Sequence, residues 1–259
     1  MANWSHFYVI RIEFLGFRYH GWQKHPKLKS VQGMIDKTCE FILGHTNFKT
    51  LGSGRTDAKV SANDFALELF VLSKIETSSF LTDLNKNLPS DIRAKSVKEV
   101  NSEFNIIKQS KTKEYHYYFS FGDKSHPFNA PLIRDFGNEL DILKMKEAAK
   151  EFEGFHNFRR YASKPSEKTI FERTILLAEI ISNDQINGSF IPENSFVFKV
   201  RAKGFLTYQV RLMMGALVDV GLGKWTIKDI KASLLESDKP QIRHIAPSSG
   251  LVLHSVEFD

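Results

Sequence analysis

The chain is poor in cysteine, and this scarcity excludes two classes of protein. Its 259 residues include one cysteine, Cys39, which excludes an internal disulfide framework and a zinc site built from several cysteines. The neighbours of Cys39 follow a helical pattern of apolar residues, which predicts a buried, unreactive thiol. The chain also lacks an apolar run of about 18 residues that could span a bilayer. The first six residues lack the basic and apolar segments of a signal peptide, so we expect a cytoplasmic protein.

Motifs for nucleotide and metal chemistry are missing as well. The chain has no G-x-x-x-x-G-K-[ST] loop, no H-E-x-x-H motif and no glycine fingerprint between a strand and a helix. Its nine histidines are scattered without the spacing of metal ligands. We therefore expect no cofactor and no bound metal.

What the chain has in excess is positive charge. It carries 36 Lys and Arg residues against 30 Asp and Glu, a formal net charge of +6 at pH 7. This balance favours a polyanionic partner, although many basic proteins bind none. Hydrophobic residues at 42% and charged residues at 25% are ordinary for a soluble globular protein. The length is comfortable for two domains.

Hydrophobic periodicity predicts an α+β protein with two domains of mostly antiparallel sheet and helices packed on one face. The predicted strands cover residues 7–14, 61–72, 92–100, 112–121, 173–181, 195–202 and 251–258. The predicted helices cover residues 31–42, 77–88, 140–152, 207–220 and 227–235. We expect an N-terminal domain over residues 1–103 and a C-terminal domain over residues 104–259.

The most unusual stretch of the sequence is residues 51–62. Gly52 and Gly54 can adopt positive φ at little cost, so the backbone can turn sharply there. Arg55 and Asp57 follow, two residues apart, just before a predicted strand. A carboxylate and a guanidinium on a loop attached to a strand suit a reactive centre. In the alternative interpretation, Asp57 bonds its own backbone in an ordinary turn.

Three other stretches carry chemistry that the sequence alone leaves open. Residues 15–29 contain aromatic rings that can stack on bases and lysines that attract phosphates, but a solvated basic loop has the same composition. The strand 112–121 places Tyr115 and Tyr117 on one face, for a base or for the core. Arg211 lies in an apolar helix, where it needs a carboxylate partner or must extend to the surface.

The motif G-R-T-D-A at residues 54–58 resembles the tRNA pseudouridine synthase A family. Earlier and later motifs agree with that family in their order along the chain: Y-H-G-W-Q at 19–23, V-Q at 31–32, N-L-P at 87–89, Y-H-Y at 115–117, F-H-N-F at 155–158, V-R at 210–211 with Gly215, and A-P at 246–247 with G-L at 250–251. The resemblance spans nearly the whole chain, so it is specific in combination.

This resemblance implies the pseudouridine synthase fold, with an active-site cleft between the two domains. It implies an isomerase that converts uridine to pseudouridine in the anticodon stem-loop region of tRNA. It also implies a homodimer that binds tRNA, with no membrane or DNA partner. Isomerisation transfers no electrons and needs no group donor, which agrees with the missing cofactor motifs.

The resemblance also assigns roles to individual residues. Asp57 matches the catalytic nucleophile, and Arg211 matches the arginine that pairs with that carboxylate and favours its charged form. Tyr117 matches the tyrosine that packs against the base and helps to remove the C5 proton. Arg55 matches the arginine that holds the flipped uridine, and Leu251 matches a residue that lines the pocket.

The chain departs from the family pattern at two positions beside Asp57. The family usually reads G-R-T-D-A-G-V-H-A, whereas this chain has Lys59 in place of the second glycine and Ser61 in place of the histidine. If the position of Lys59 requires positive φ, the side chain costs roughly 1 kcal/mol. Lys59 also adds a positive charge near the site.

Three alternatives remain open at this point. The same scaffold could serve as an RNA-binding or chaperone protein without turnover, or modify an RNA other than tRNA. A nucleotide- or phosphate-binding enzyme that uses the turn at residues 52–54 is the third. Asp57, Tyr117 and Arg211 together favour an enzyme, because affinity for RNA does not require a carboxylate of this kind.

Overall fold

The computed structural model of the chain describes residues 4–137, 139–186, 188–235 and 238–258. Residues 1–3, which belong to the stretch used to predict that no signal peptide is present, lie outside this description. Within the described ranges, no helix has the length and apolar character needed to cross a membrane.

The described residues form ten strands and five α-helices. The strands are β1 (His6–Phe14), β2 (Phe48–Gly52), β3 (Ser61–Val71), β4 (Ile92–Val100), β5 (Ser110–Ser120), β6 (Arg134–Asp135), β7 (Gly154–Asn157), β8 (Glu172–Ser182), β9 (Ser195–Ala202) and β10 (Leu251–Phe258). The helices are α1 (Val31–Leu43), α2 (Thr77–Asn87), α3 (Ile142–Lys150), α4 (Gln209–Gly221) and α5 (Ile227–Leu235).

The chain divides into two compact units. Unit 1 comprises residues 1–111 together with 253–259, and unit 2 comprises residues 112–252. Strand β10 therefore contributes its first two residues to unit 2 and the others to unit 1. The domain boundary at 103/104 stays a prediction, because compactness does not test which segment folds independently.

Unit 1 contains an antiparallel sheet. Strand β1 lies between β3 and β4, and β2 pairs with β3. Phe65, Leu67 and Leu69 lie on one face of β3, and all three are buried. The opposite face of β3 is covered too, since Ala66 packs with Ile106 and with residues of β10.

Helix α1 shows how closely the local sequence specifies an element. The Ser30 hydroxyl accepts a hydrogen bond from Gly33 N at the start of the helix. Gly44 closes the helix at φ 72°, where a residue without Cβ is favoured. Cys39 is fully buried, and burial raises the pKa of its thiol to about 12. The predicted helix and the predicted burial of the thiol are both confirmed, and the raised pKa agrees with low reactivity.

Unit 2 contains a mixed, mostly antiparallel sheet. Strand β9 pairs antiparallel with β5 and β8, and β7 pairs antiparallel with β8. The short strand β6 runs parallel to β5. Helix α3 contacts both α4 and β8. Together with unit 1, this arrangement confirms the predicted α+β class.

Three short strands, β2, β6 and β7, were not predicted from the sequence. Strand β2 has five residues and includes Leu51 and Gly52, so the loop expected from residue 51 begins at residue 53. Strands β6 and β7 have two and four residues. Segments this short lack a readable alternation, and only their pairing with a neighbouring strand defines them.

Candidate active site

Asp57 lies in the connection between β2 and β3, which we call the Asp57 loop (residues 53–60). A second segment of unit 1, residues 16–22, holds this loop, and we call it the clamp segment. Two hydrogen bonds join the two, from Trp22 N to the Thr56 carbonyl at 3.1 Å and from Lys59 N to the Tyr19 carbonyl at 3.0 Å. A third, from Gly16 N to Ser61 Oγ at 2.9 Å, joins the clamp segment to the first residue of β3. The main-chain path around Asp57 is therefore fixed mostly by backbone groups.

The clamp segment can approach this closely because Gly21 has no side chain. Gly21 has φ +89°, and a Cβ built there would lie 2.4 Å from the Thr56 carbonyl oxygen and 3.1 Å from the carbonyl carbon of Asp57. Both the conformation and the contact exclude a larger residue. Gly21, in the motif at residues 19–23, therefore allows the clamp segment to pack closely against the loop that carries Asp57.

Gly52 and Gly54 do not use the positive φ that glycine permits. Neither residue is among the glycines with positive φ. Gly52 ends β2 opposite Leu67, and a Cβ there would meet the Trp22 indole at 2.6 Å. Gly52 is thus needed for the close packing of Trp22 and not for a turn.

The left-handed position of this loop is Lys59, with φ 68°. The expectation that a side chain here is strained is confirmed, at a cost of roughly 1 kcal/mol. Lys59 Nζ lies 5.5 Å from the centroid of the Phe17 ring, a distance at which a cation is attracted to an aromatic face. Ser61 is buried and accepts the hydrogen bond from Gly16 described above.

Two of the three large rings of the clamp segment, those of Tyr19 and Trp22, are not available to bases. Tyr19 and Trp22 are each 2% exposed, so the hypothesis that these rings stack on RNA is wrong. The Trp22 ring instead packs on Phe65, with centroids 4.2 Å apart. The exposed groups of residues 15–29 include Lys24, Lys27 and Lys29.

Asp91 anchors the clamp segment, and it was not among the residues predicted from the sequence. The Tyr19 hydroxyl donates to Asp91 Oδ1 at 2.6 Å, and Arg18 donates to Oδ2 from Nε at 2.8 Å and Nη2 at 2.6 Å. Burial by itself raises the pKa of Asp91, but these hydrogen bonds outweigh burial and lower the pKa overall. The one feature of the sequence that could have pointed to Asp91 is its position two residues after the N-L-P motif.

Arg55 and Asp57 differ in exposure on the Asp57 loop. Arg55 is exposed, and Asp57 is half-buried. Arg55 makes no hydrogen bond or ion pair with any residue that the structure describes. Its guanidinium is therefore available to a ligand, as its predicted role requires.

Tyr117 is a buried residue of β5 in unit 2. Its hydroxyl donates a hydrogen bond to the Pro247 carbonyl at 2.6 Å. Burial raises the pKa of Tyr117 well above its ordinary value, and the positive charges of Arg134 and Arg211 offset this only in part. The phenol is therefore protonated at neutral pH, which suits a packing role better than removal of a proton. Arg134 is a further neighbour that the sequence analysis missed.

Arg211 lies in the first turn of α4 and is half-buried. Arg211 Nε donates to the Ala246 carbonyl at 2.8 Å, and Ala246 N donates to the Arg211 carbonyl at 3.0 Å. The guanidinium carbon also lies 4.5 Å from the centroid of the Tyr208 ring. These contacts fix Arg211 in place, so it does not simply extend into solvent.

Residues 246–251 connect the predicted site residues of unit 2. The segment bonds Arg211 through Ala246 and Tyr117 through Pro247, and it ends at Leu251, which is 5% exposed. A Cβ on Gly250 would lie 2.4 Å from the Tyr118 carbonyl oxygen and 3.1 Å from the Tyr117 ring. The A-P and G-L motifs therefore organise one local cluster.

The predicted site residues are thus divided between the units. Arg55 and Asp57 belong to unit 1, and Tyr117, Arg211 and Leu251 belong to unit 2. The pairing of Arg211 with Asp57 stays a prediction.

Comparisons with known proteins give the family. Residues 148–259 match the family model described as tRNA pseudouridine synthase. The chain is 33% identical over 251 residues to tRNA pseudouridine synthase A of Pseudothermotoga lettingae, an alignment that covers 97% of this chain and 99% of the relative. It is 32% identical over 247 residues to tRNA pseudouridine synthase A of Clostridium kluyveri, with 95% and 97% covered.

A third relative extends the comparison to the full length of a known protein. The chain is 31% identical over 255 residues to tRNA pseudouridine synthase A 2 of Bacillus cereus, with 98% of this chain and 100% of the relative covered. Identity at this level over whole chains, together with the fold and the arrangement of the motifs, is not a local similarity. The chain belongs to the tRNA pseudouridine synthase A family.

Proposed function

We propose that the protein isomerises uridine to pseudouridine in the anticodon stem-loop region of tRNA, with Asp57 as nucleophile. The observation that carries this proposal is the match over whole chains to relatives named tRNA pseudouridine synthase A. The Asp57 loop supports it, because backbone contacts hold the loop while Arg55 stays accessible. An RNA-binding protein without turnover has no need for a carboxylate on such a loop.

The reaction breaks one bond to the sugar and forms another. The bond between C1′ and N1 of the uridine breaks, the base rotates, and C1′ joins C5. The proton of C5 is released, and N1 gains a proton, so the product has the same composition as the substrate. Asp57 attacks either the sugar or the base to make the covalent intermediate. No electron or group donor takes part.

The other residues act on the substrate or on Asp57. Arg55 holds the flipped uridine outside the helical stack, and the buried side chain of Leu251 lines the pocket. By the family resemblance, Tyr117 packs against the base, although its ring is buried in the free protein. Arg211 favours the charged form of Asp57, the form that a nucleophile requires.

The protein is proposed to work in the cytoplasm as a homodimer, with tRNA as its partner. The family resemblance supports this assembly. Light scattering coupled to size-exclusion chromatography measures the molar mass directly. A monomer at micromolar concentration, with full activity, would contradict the assembly without affecting the proposed chemistry.

Tritium release from tRNA transcripts labelled at uridine C5 tests the reaction. Asp57→Asn keeps the size of the side chain but removes the nucleophile, so we expect release to fall to background. Asp83→Asn is the matched control, because Asp83 is an exposed carboxylate on α2 of the same unit. Wild type and the control should release tritium equally.

Other outcomes of this experiment would separate the alternatives. Release by Asp57→Asn would mean that Asp57 is not the nucleophile. Binding of tRNA without release by wild type would contradict a tRNA synthase. The same assay on total RNA from cells that lack the protein would then distinguish another RNA substrate from a protein without turnover.

A further inference from the structure

Lys59 combines a strained backbone with a charged side chain. Its φ of 68° lies in the left-handed region, where glycine is free of strain and a side chain is not. Strained residues of this kind are concentrated at functional sites. The strain at Lys59 gives reason to ask what its side chain does.

The charge of Lys59 has no anionic partner in the part of the chain that the structure describes. Lys59 is exposed, and no described carboxylate lies within ion-pair distance of Nζ. Its Nζ lies 5.5 Å from the centroid of the Phe17 ring in the clamp segment. A carboxylate that anchors the same segment, Asp91, is already bonded to Arg18.

A second lysine, Lys29, also lies close to an aromatic ring of the clamp segment. Lys29 Nζ lies 4.9 Å from the centroid of the Tyr19 ring, and the Lys29 carbonyl accepts a hydrogen bond from His20 N. Two lysines, Lys29 and Lys59, therefore lie close to aromatic rings of the clamp segment. Arg55, on the Asp57 loop, is also exposed. Positive charge is therefore present on both sides of Asp57 in the sequence, at residues 55 and 59.

We propose that Lys59 binds a backbone phosphate of the RNA at the target nucleotide or its immediate neighbour. Lys59 and Asp57 are two residues apart, at most about 7 Å along the chain, so an ammonium at residue 59 reaches the backbone of a nucleotide placed at Asp57. Phosphate contacts fix the register of a nucleic acid without reading its sequence. The inference rests on the proposed function for the identity of the ligand.

Binding of an unmodified tRNA transcript at several salt concentrations between 50 and 200 mM KCl tests this role. Each phosphate contact contributes about 0.7–0.9 to the slope of log Kd against log salt concentration. We expect Lys59→Gln to reduce the slope by that amount and to weaken binding about 3- to 10-fold at low salt. Lys59→Arg keeps the charge and should keep the slope.

Lys59→Gly separates a binding role from a structural one. Glycine relieves the strain that glutamine retains, so Lys59→Gly should unfold about 2–4 °C above Lys59→Gln. Both variants should nevertheless bind tRNA equally weakly. If Lys59 only packs on Phe17, affinity would not change in either variant.

Lys98→Gln is the matched control, because Lys98 is an exposed lysine on β4 of the same unit. If the salt slopes of Lys59→Gln and Lys59→Gly equal that of this control, the inference is overturned. Tritium release by wild type, measured on the same transcript, reports separately on the proposed function. Binding without release would contradict that function while the slopes still decide the role of Lys59.

Discussion

The two units hold their predicted site residues by different means. In unit 1, backbone groups and a residue without a side chain fix the Asp57 loop, while Arg55 is exposed. In unit 2, Tyr117 and Arg211 are themselves the structural ties, since each donates a hydrogen bond to a carbonyl of residues 246–247. A side-chain change on the Asp57 loop therefore tests chemistry, whereas a change at Tyr117 or Arg211 alters chemistry and packing together.

The largest effect is expected where the loop of unit 1 depends on Gly21. Gly21→Ala introduces a Cβ at 2.4 Å from the Thr56 carbonyl oxygen, in addition to the strain of φ +89°. We expect the free energy of unfolding to fall by about 3 kcal/mol and tritium release to fall with it. Urea denaturation measures the first quantity.

Gly44→Ala provides the control for this prediction. Gly44 has φ +72°, but a Cβ there would meet nothing within 4 Å, so only the strain of about 1 kcal/mol remains. Equal losses for the two variants would show that contact with the Asp57 loop does not matter, and the contrast drawn above would fail.

An intermediate effect is expected from the side-chain ties of unit 2. Tyr117→Phe keeps the ring but leaves the Pro247 carbonyl without its donor, so we expect a loss of about 1–2 kcal/mol in the free energy of unfolding. Arg55→Gln, on the exposed part of unit 1, should change stability by less than about 0.5 kcal/mol. Thermal and urea unfolding check both. A similar loss in both variants would remove the distinction between the units.

A loss smaller than that of Tyr117→Phe is expected at the anchor of the clamp segment. Asp91→Asn keeps the shape of the side chain but removes the charge that Arg18 and Tyr19 bond, and we expect a loss of about 1 kcal/mol at pH 7. Because the pKa of Asp91 is lowered in the folded protein, its stabilising contribution is present above the ordinary pKa of about 3.9. That contribution disappears as the pH falls through the lowered value.

Urea unfolding of wild type and Asp91→Asn between pH 7 and pH 3 checks this dependence. The difference between the two proteins should be constant near neutrality and shrink in acid. A difference that grows in acid would mean that the charge of Asp91 does not stabilise the clamp segment.

Local sequence patterns predicted the longer strands and helices well. Strands β4, β9 and β10 have the predicted bounds. The return of β10 to unit 1 could not be predicted, since strand pairing between distant parts of a chain leaves no local signal. The short strands β2, β6 and β7 were not predicted, because segments this short lack a readable alternation.

The candidate site was predicted from motifs, and the structure gives physical reasons for several of them. Gly21 and Gly250 permit close backbone approach. In the sequence, they appear only as members of motifs that resemble those of the family. A glycine signals permission for positive φ and not its presence, and the left-handed residue of the Asp57 loop is Lys59. At Lys59 the loop contacts override the preference of the side chain.

Strand β10 also constrains how the protein can be made. Arg11 Nη1 donates to the Val256 carbonyl at 2.7 Å, across 245 positions of sequence, and Val256 packs with Ala66 and Ile106 in the core of unit 1. A ribosome must therefore synthesise residues through β10 before that core can close, although most of unit 1 emerges first. Throughout this interval the nascent N-terminal segment lacks the strand that covers Ala66 and Ile106, so these apolar residues stay exposed.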